Sequence, residues 1–145
     1  MEILKITEVG VAVKDIDKAS RLFVDFLGAK AGKIKTVERY QMRYRMCKLG
    51  DVDFELMDPI GDGGTIANFL KVRPEGLHHV AFAVDNLEEW LSFLKEKGVR
   101  LIDEEPQDLL GAKVAFVHPS SFNGVMFELI EYPDDGILNY LRSGQ

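Results

Sequence analysis

Four ionisable side chains, Glu8, Glu55, His79 and Glu128, recur at matching places in two copies of one sequence pattern. Glu8 lies in ITEVGVAV and His79 in LHHVAFAV, whereas Glu55 lies in FELMD and Glu128 in FELIE. The separations are nearly equal, 71 residues from Glu8 to His79 and 73 from Glu55 to Glu128. Two unrelated patterns repeating at nearly one offset indicate that a single folding unit has been duplicated.

The chemistry open to these four side chains is metal ligation. Each alternates with bulky apolar neighbours, so each points to the opposite face of its strand. On that face, the neighbours in the first strand of each copy are small: Gly10, Ala12, Ala81 and Ala83. Small residues leave room for a ligand, and a carboxylate buried beside apolar residues needs a partner. Three carboxylates and one imidazole form an oxygen-rich ligand set for a divalent cation.

Each of these residues also has a simpler interpretation. A glutamate that alternates with apolar residues is ordinarily on the solvent face of an antiparallel strand, and a single histidine is more often structural than a ligand. Matching placement of all four favours the metal site. For His78 and His118 the simpler interpretation holds, as polar residues satisfied near strand ends.

Glu8 and Glu55 are predicted to lie on two strands of the first copy, and a helix follows the first of these strands. Residues 3–13 alternate as a strand, and a helix follows, with Asp15 among the candidate caps and Gly28 at its end. Residues 36–48 alternate again, and 52–57 form the strand that carries Glu55. Thr65 is predicted to cap a short helix before the linker.

The second copy repeats this plan. The strand that carries His79 is followed by a helix that Asn86 caps and Gly98 ends. Residues 99–103, 112–117 and 125–131 are predicted strands, and a short helix is expected after Pro133. The chain is therefore predicted to be α+β, with two βαβββ modules. These are module one at about 3–60, a linker with a short helix at about 61–75, module two at about 76–132, and a tail at 133–145.

Composition limits the function classes. With 145 residues, 46% of them hydrophobic, the chain suits a single domain, 1–145, in which two marginal halves share a core. A formal net charge of −6 argues against nonspecific nucleic-acid binding. No apolar run approaches the roughly 18 residues of a membrane helix. With one cysteine, Cys47, and no charged-then-apolar leader, we expect a cytoplasmic protein.

Several of these stretches together resemble the methylmalonyl-CoA epimerases, a family of the vicinal oxygen chelate superfamily that includes glyoxalase I. The resemblance spans nearly residues 3–132, and GLHHVAF and the histidine-proline stretch are fairly specific within the superfamily. The stretches that carry it are Ile6–Val13, Glu55–Ile60, Thr65–Leu70, Gly76–Phe82, Phe116–Pro119 and Asn123–Leu129.

The resemblance implies a glyoxalase-like fold, in which the two modules form a U-shaped, eight-stranded mixed sheet around a central cavity, usually in a homodimer. It implies an isomerase that moves a proton at the α carbon of a methylmalonyl-CoA-like thioester through a metal-stabilised enolate. The implied cofactor is a divalent ion (Co, Mn, Mg, Ni or Zn), and the implied ligands are Glu8, Glu55, His79 and Glu128. Glu128 and Glu38 are the implied proton-transfer groups, and Glu38 matches its family position to within one residue.

One departure from the family concerns Glu8, where the epimerases have histidine. A third carboxylate favours harder cations such as Mn²⁺ or Mg²⁺ and weakens the stabilisation of new negative charge. A second departure is the loop Pro106–Gly111, which lacks a glycine that the family usually carries.

Two other functions remain open: a different isomerase or lyase of the superfamily, such as a glyoxalase I-like enzyme, and a non-catalytic protein that sequesters a ligand. A basic row, Arg39, Arg43 and Arg45 with Lys48, either meets coenzyme A phosphates or is a solvated strand face.

Overall fold

Residues 1–133 are described in the computed structural model, and they form an α+β fold, as the sequence predicts. The helix expected after Pro133 lies outside the described residues. The strands are β1 Ile3–Ala12, β2 Lys30–Ala31, β3 Lys35–Val37, β4 Met42–Leu49, β5 Val52–Pro59, β6 Gly76–Val84, β7 Gln107–Leu109, β8 Ala112–Val117 and β9 Met126–Glu131. The helices are α1 Ile16–Leu27, α2 Thr65–Val72 and α3 Leu87–Glu96, with 3-10 helices at Glu38–Tyr40 and Pro119–Ser121.

The chain divides into two compact units. The first unit is Glu8–His78, and the second unit is Met1–Thr7 together with the chain from His79 onward. In the first unit the strand order is β2-β4-β5-β1, and β3 also pairs with β4. In the second unit the order is β6-β9-β8-β7. In both units the first strand runs parallel to the last, and the last runs antiparallel to the strand before it.

Local sequence signals mark where α1 and α3 begin and where α1 ends. The Asp15 carboxylate caps α1 by accepting hydrogen bonds from the backbone N–H groups of Asp17 and Lys18, both at 3.0 Å. Gly28 ends α1 in the left-handed conformation, with φ +69°. The Asn86 side chain caps α3 through the Glu89 N–H at 3.1 Å. These caps confirm the predicted start and end of α1 and the predicted start of α3.

Helices α1 and α3 each cover the apolar face of the strands in their own unit. Ile16 on α1 is buried with Leu56 and Cys47, and Leu91 on α3 is buried with Leu129. The apolar sides of β5 and β9 are therefore occupied by helices. The side chains that alternate with them, Glu55 among them, lie on the opposite face.

A second acid in each unit bonds the start of a helix to the end of the unit's last strand, α1 to β5 and α3 to β9. Asp58, three residues after Glu55, accepts the Ile16 N–H at 3.1 Å and a bidentate pair of bonds from Arg43, at 2.9 and 2.5 Å. Glu131, three residues after Glu128, accepts the Leu87 N–H at 2.7 Å. In both units, an acid on the helix face holds the first turn of the helix, where backbone N–H groups lack intrahelical partners.

Three local predictions are wrong. Thr65 does not cap α2, because Gly64 is the N-cap and no side chain caps this helix. The stretch 36–48 is not one strand, since the 3-10 helix interrupts it and Gln41 takes a left-handed conformation with φ +49°. Residues 99–103 form no strand; an isolated bridge between Leu101 and Val117 takes its place, and β7 falls later in the predicted loop.

Candidate metal centre

In the first unit, Glu8 and Glu55 lie together on the face away from α1. Glu55 pairs with Gly10 in the parallel register of β1 and β5, so Glu8 lies two residues before the partner of Glu55. A carboxylate oxygen of one residue lies within 4.8 Å of a carboxylate oxygen of the other. Glu55 is 9% exposed. Two carboxylates this close repel each other unless a cation or a proton lies between them.

In the second unit, His79 and Glu128 have the same relationship. Glu128 pairs with Ala81 in the parallel register of β6 and β9, so His79 lies two residues before the partner of Glu128. The His79 Nε2 and the Glu128 Oε2 are 3.2 Å apart, and the residues are 3% and 4% exposed. The Phe116 ring lies edge-on to the imidazole, with ring centroids 5.7 Å apart.

The distance from His79 to Glu128 fits two ligands of one cation. Ligand atoms about 2.1 Å from a metal ion, at octahedral to tetrahedral angles, are about 3.0–3.4 Å apart. The observed 3.2 Å lies within this range and is therefore compatible with ligation of one cation; it also lies at the long end of an ordinary N–H···O hydrogen bond, about 2.7–3.2 Å.

The donor set also suits a divalent cation. The first unit offers two carboxylates, the second offers an imidazole nitrogen and a carboxylate, and each pair includes a buried carboxylate. Burial of a carboxylate is costly without a counter-charge, which a cation supplies. The residues that the sequence pattern singles out for ligation thus have the chemistry that a divalent cation needs.

Tyr44 is a candidate residue of this face that the sequence reasoning did not single out. Met46 pairs with Glu55 across β4 and β5, and Tyr44 lies two residues earlier on the same face, opposite Met57. Burial raises the pKa of the Tyr44 phenol, and the negative charges of Glu55 and then Glu8 raise that pKa further. The phenol therefore keeps its proton to a higher pH than an ordinary tyrosine. Period-two alternation assigns Tyr44 to a face of β4, but only the strand register shows that this face carries Glu55.

Glu38 also belongs to the first unit but lies outside its strands. It is the first residue of the 3-10 helix before β4, and its side chain is exposed to solvent. Such a position allows exchange of protons with water. Its role in proton transfer stays a prediction.

The other candidate residues have structural contacts. His118 caps the second 3-10 helix, since its Nδ1 accepts the Ser120 N–H at 3.0 Å, and the His78 ring packs edge-on against Phe69. Arg43 is held by Asp58, and Arg45 donates from Nε to the Gly32 carbonyl at 2.7 Å. These two arginines thus stabilise the first unit.

The chain is similar in sequence to known proteins of one superfamily. The model of the Glyoxalase/Bleomycin resistance protein/Dioxygenase superfamily matches residues 7–116. Methylmalonyl-CoA epimerase, mitochondrial, of Bos taurus is 36% identical over 127 residues, which are 86% of this chain and 73% of the bovine protein. The ethylmalonyl-CoA/methylmalonyl-CoA epimerase of Cereibacter sphaeroides is 32% identical over 128 residues, which are 86% of this chain and 96% of the relative.

A solved structure agrees with this comparison. The crystal structure of methylmalonyl-CoA epimerase from Mycobacterium tuberculosis has a TM-score of 0.82 and 28% identity. The match covers 90% of this chain and 89% of that one. The predicted glyoxalase-like fold is confirmed, and so is the enzyme class, an isomerase of the epimerase type.

Proposed function

Since this chain belongs to the methylmalonyl-CoA epimerase family of the glyoxalase, bleomycin resistance protein and dioxygenase superfamily, we propose that it inverts the α carbon of a methylmalonyl-CoA-like acyl thioester by moving a proton. The proposed cofactor is one divalent cation bound by Glu8, Glu55, His79 and Glu128. The observation that carries this proposal is the repeated register, in which each first-strand ligand lies two residues before the partner of the last-strand carboxylate.

A divalent cation at this place would accept substrate oxygens and stabilise the negative charge that develops when the proton leaves the α carbon. Three carboxylates and one imidazole favour a hard cation such as Mn²⁺ or Mg²⁺ within the range Co, Mn, Mg, Ni and Zn. The three carboxylates also weaken the cation as a Lewis acid, because they neutralise more of its charge.

The proton transfer itself needs two side chains of the protein. Inversion needs one group to remove the proton from one side of the carbon and another to deliver a proton to the opposite side. We assign these roles to Glu128, on β9 of the second unit, and to Glu38, on the 3-10 helix before β4 of the first unit. Glu128 is buried, whereas Glu38 is exposed and can exchange its proton with water.

The small residues around the carboxylates make space for a compact reacting group. On the side of the first strand, Gly10 lies opposite Glu55 and Ala81 lies opposite Glu128, whereas Met46 and Phe116 lie opposite them on the other side. Beside Glu55, the methionines Met42 and Met57 and the helix residue Ile66 form an apolar cluster with Ala12. These buried residues support the face of the first unit that carries Glu55.

The test has two steps. The metal content of the purified protein is measured first, and the protein is then incubated in deuterated water with methylmalonyl-CoA. A stoichiometric divalent ion and deuterium at the α carbon of both epimers would support the proposal. Turnover of hemithioacetals with no deuterium in methylmalonyl-CoA would identify another isomerase or lyase of the superfamily. Absence of both metal and turnover would favour a protein that sequesters its ligand.

The partners and the location stay predictions. An acyl-CoA substrate and a homodimer are expected, and the cellular compartment is open, because the bovine relative is mitochondrial. Among residues 1–133, no helix has the length and apolar character needed to cross a membrane.

A further inference from the structure

Gly64 stands where the loop after β5 meets the 3-10 helix that carries Glu38. A Cβ atom at Gly64 would lie 2.5 Å from the Tyr40 carbonyl oxygen, 2.8 Å from the Gln41 Cβ and 3.0 Å from the Gln41 carbonyl oxygen. Two of these three atoms are backbone, so a side chain cannot be accepted by rotation of a neighbour. Gly64 itself has an extended backbone, with φ −86° and ψ 178°, which any residue adopts. Glycine is needed here only because of the close approach.

The same loop is bonded to the turn that follows Glu38. The Ile60 N–H donates to the Gln41 carbonyl at 2.9 Å, and the Gln41 N–H donates to the Glu38 carbonyl at 3.0 Å. Gln41 has φ +49°, in the left-handed region that non-glycine residues rarely adopt. The turn thus depends on its surroundings to keep this conformation.

The loop is in turn anchored to α2. The Lys71 Nζ donates to the Asp62 carbonyl at 2.5 Å. Ile66 on α2 is 1% exposed and packs with Met42 and Met57, and Tyr40 is packed against the same cluster. The 3-10 helix is therefore held on one side by β4 and on the other by the loop and α2.

We infer that Gly64 is a positioning residue for Glu38: its missing side chain allows the loop to press on the backbone of Tyr40 and Gln41 and so sets where the Glu38 carboxylate stands. This inference rests on the proposed function, in which Glu38 transfers a proton. With a side chain at position 64, the loop and the 3-10 helix must separate by several tenths of an ångström or more. Proton transfer is sensitive to displacements of this size, and a shift of about 1 Å can cost roughly 10²-fold in rate.

The experiment compares Gly64→Ala and Gly64→Ser with Gly63→Ala and Glu38→Gln, all as the full chain loaded with metal. Gly63→Ala is the matched control, because a Cβ there meets only the end of the flexible Gln41 side chain, Oε1 at 3.3 Å. Gly64→Ser adds the same Cβ but keeps a good N-cap residue for α2, whereas alanine is a poor one. A loss shared by both Gly64 variants is therefore due to the added atom.

The readout separates positioning from general damage. Each epimer of methylmalonyl-CoA is supplied alone in deuterated water, and kcat, KM, deuterium uptake, metal content and the unfolding midpoint are measured. Both Gly64 variants should lower kcat by roughly 10–100-fold with KM and metal content unchanged. As in Glu38→Gln, uptake should fall much more for one epimer than for the other.

Several results would overturn the inference. Wild-type kcat in the Gly64 variants, or an equal loss of uptake from both epimers, would show that Gly64 does not act on Glu38. Full activity of Glu38→Gln would show that Glu38 does not transfer a proton. Gly64 would then have no catalytic group to position. If the wild-type protein leaves both epimers unchanged, the proposed function fails, and the inference fails with it. If Gly64→Ala unfolds, Gly64→Ser measured at a temperature where it is folded decides the matter.

Discussion

Glu55 lies directly opposite Gly10 in the parallel pair β1–β5. The carboxylate therefore faces a residue without a side chain, and Glu8, two residues before Gly10, can approach it. Glu128 lies opposite Ala81 in β6–β9, and His79 approaches it in the same way. One register, used once in each unit, places an ionisable residue of the first strand beside the buried carboxylate of the last.

The first prediction is that metal binding depends on the second-unit pair. His79→Ala and Glu128→Ala each remove one proposed ligand, so each should lower the bound divalent ion to well below one equivalent. Each variant should also lose the rise in unfolding temperature that added metal gives the wild type, because a ligand stabilises the native state by mass action. Metal analysis and thermal unfolding with and without added Mn²⁺ measure both effects.

The control for this prediction is Glu104→Ala. Glu104 is a mostly exposed acid that forms a surface ion pair with Lys95 at 3.4 Å. This variant should bind metal as the wild type does. If His79→Ala and Glu128→Ala also bind one equivalent, the metal site has been assigned to the wrong residues.

The second prediction concerns Asp58, which holds the first turn of α1 and the Arg43 guanidinium. Asp58 is 2% exposed, so Asp58→Ala leaves a backbone N–H and an arginine without their acceptor. The free energy of unfolding should fall by about 2–3 kcal/mol, below the full value for a buried pair because Arg43 is partly exposed. Asp58→Asn keeps one acceptor oxygen and should cost about half as much.

Urea unfolding of these variants measures the loss, and Glu131→Ala is the matched comparison in the second unit. Glu131 also accepts a helix N–H, but its cation partner Lys113 is looser, at 3.9 Å. Its loss should therefore cost less, about 1 kcal/mol. Equal stability of Asp58→Ala and the wild type would refute the structural role of this pair.

The sequence predicts those features that depend on local chemistry or on the repeat. Asp15, Gly28 and Asn86 mark helix ends because their side chains, or the absence of one, act on the adjacent backbone. The faces of β1 and β5 follow from alternation, which requires no knowledge of the neighbouring strand. The repeat then relates Glu8 to His79 and Glu55 to Glu128, and the register of each unit agrees with that relation.

Features that depend on contacts between distant residues are not predicted. Residues 99–103 alternate like a strand, but only Leu101 finds a partner, in Val117. Thr65 has the chemistry of an N-cap, yet the close approach of the loop to Tyr40 makes Gly64 the cap. The proximity of Tyr44 to Glu55 follows from the register of β4 and β5, which sequence patterns leave undetermined.

The third prediction uses the raised pKa of the Tyr44 phenol. A phenol whose pKa is higher in the folded state binds its proton more tightly there. Its contribution to stability is therefore full below the unfolded value of about 10 and is lost as the pH rises through the folded value. Tyr44→Phe should make the protein more resistant to alkaline unfolding than the wild type.

Phenolate absorbance against pH, measured on the metal-free protein so that no cation neutralises Glu8 and Glu55, tests the cause. The difference between the wild type and Tyr44→Phe isolates one tyrosine, which should titrate above the ordinary value. Burial is the larger cause, so Glu55→Gln should lower the midpoint only in part. A midpoint at or below the ordinary value in the wild type would contradict the placement of this hydroxyl beside the two carboxylates.

The last prediction concerns Glu8, the acid that, by the resemblance in sequence, stands where the epimerases have histidine. If Glu8 binds the cation, the site holds three carboxylates, and Glu8→His should restore the family's ligand set. The variant should then bind Zn²⁺ or Co²⁺ as well as or better than the wild type. Its epimerase rate should be equal or higher, because a less neutralised cation is the better Lewis acid.

If Glu8 instead transfers a proton, the same substitution has the opposite effect. Metal binding would be retained, but deuterium exchange at the α carbon would fall by roughly 10²-fold or more, the usual scale for loss of a general base. We favour ligation, because Glu8 occupies in β1 the register position that His79 occupies in β6. Metal titration and deuterium exchange on Glu8→His decide between the two roles, and Glu8→Gln serves as a control that removes the charge but keeps an oxygen ligand. Unchanged metal preference and unchanged rate in Glu8→His would show that Glu8 takes part in neither step.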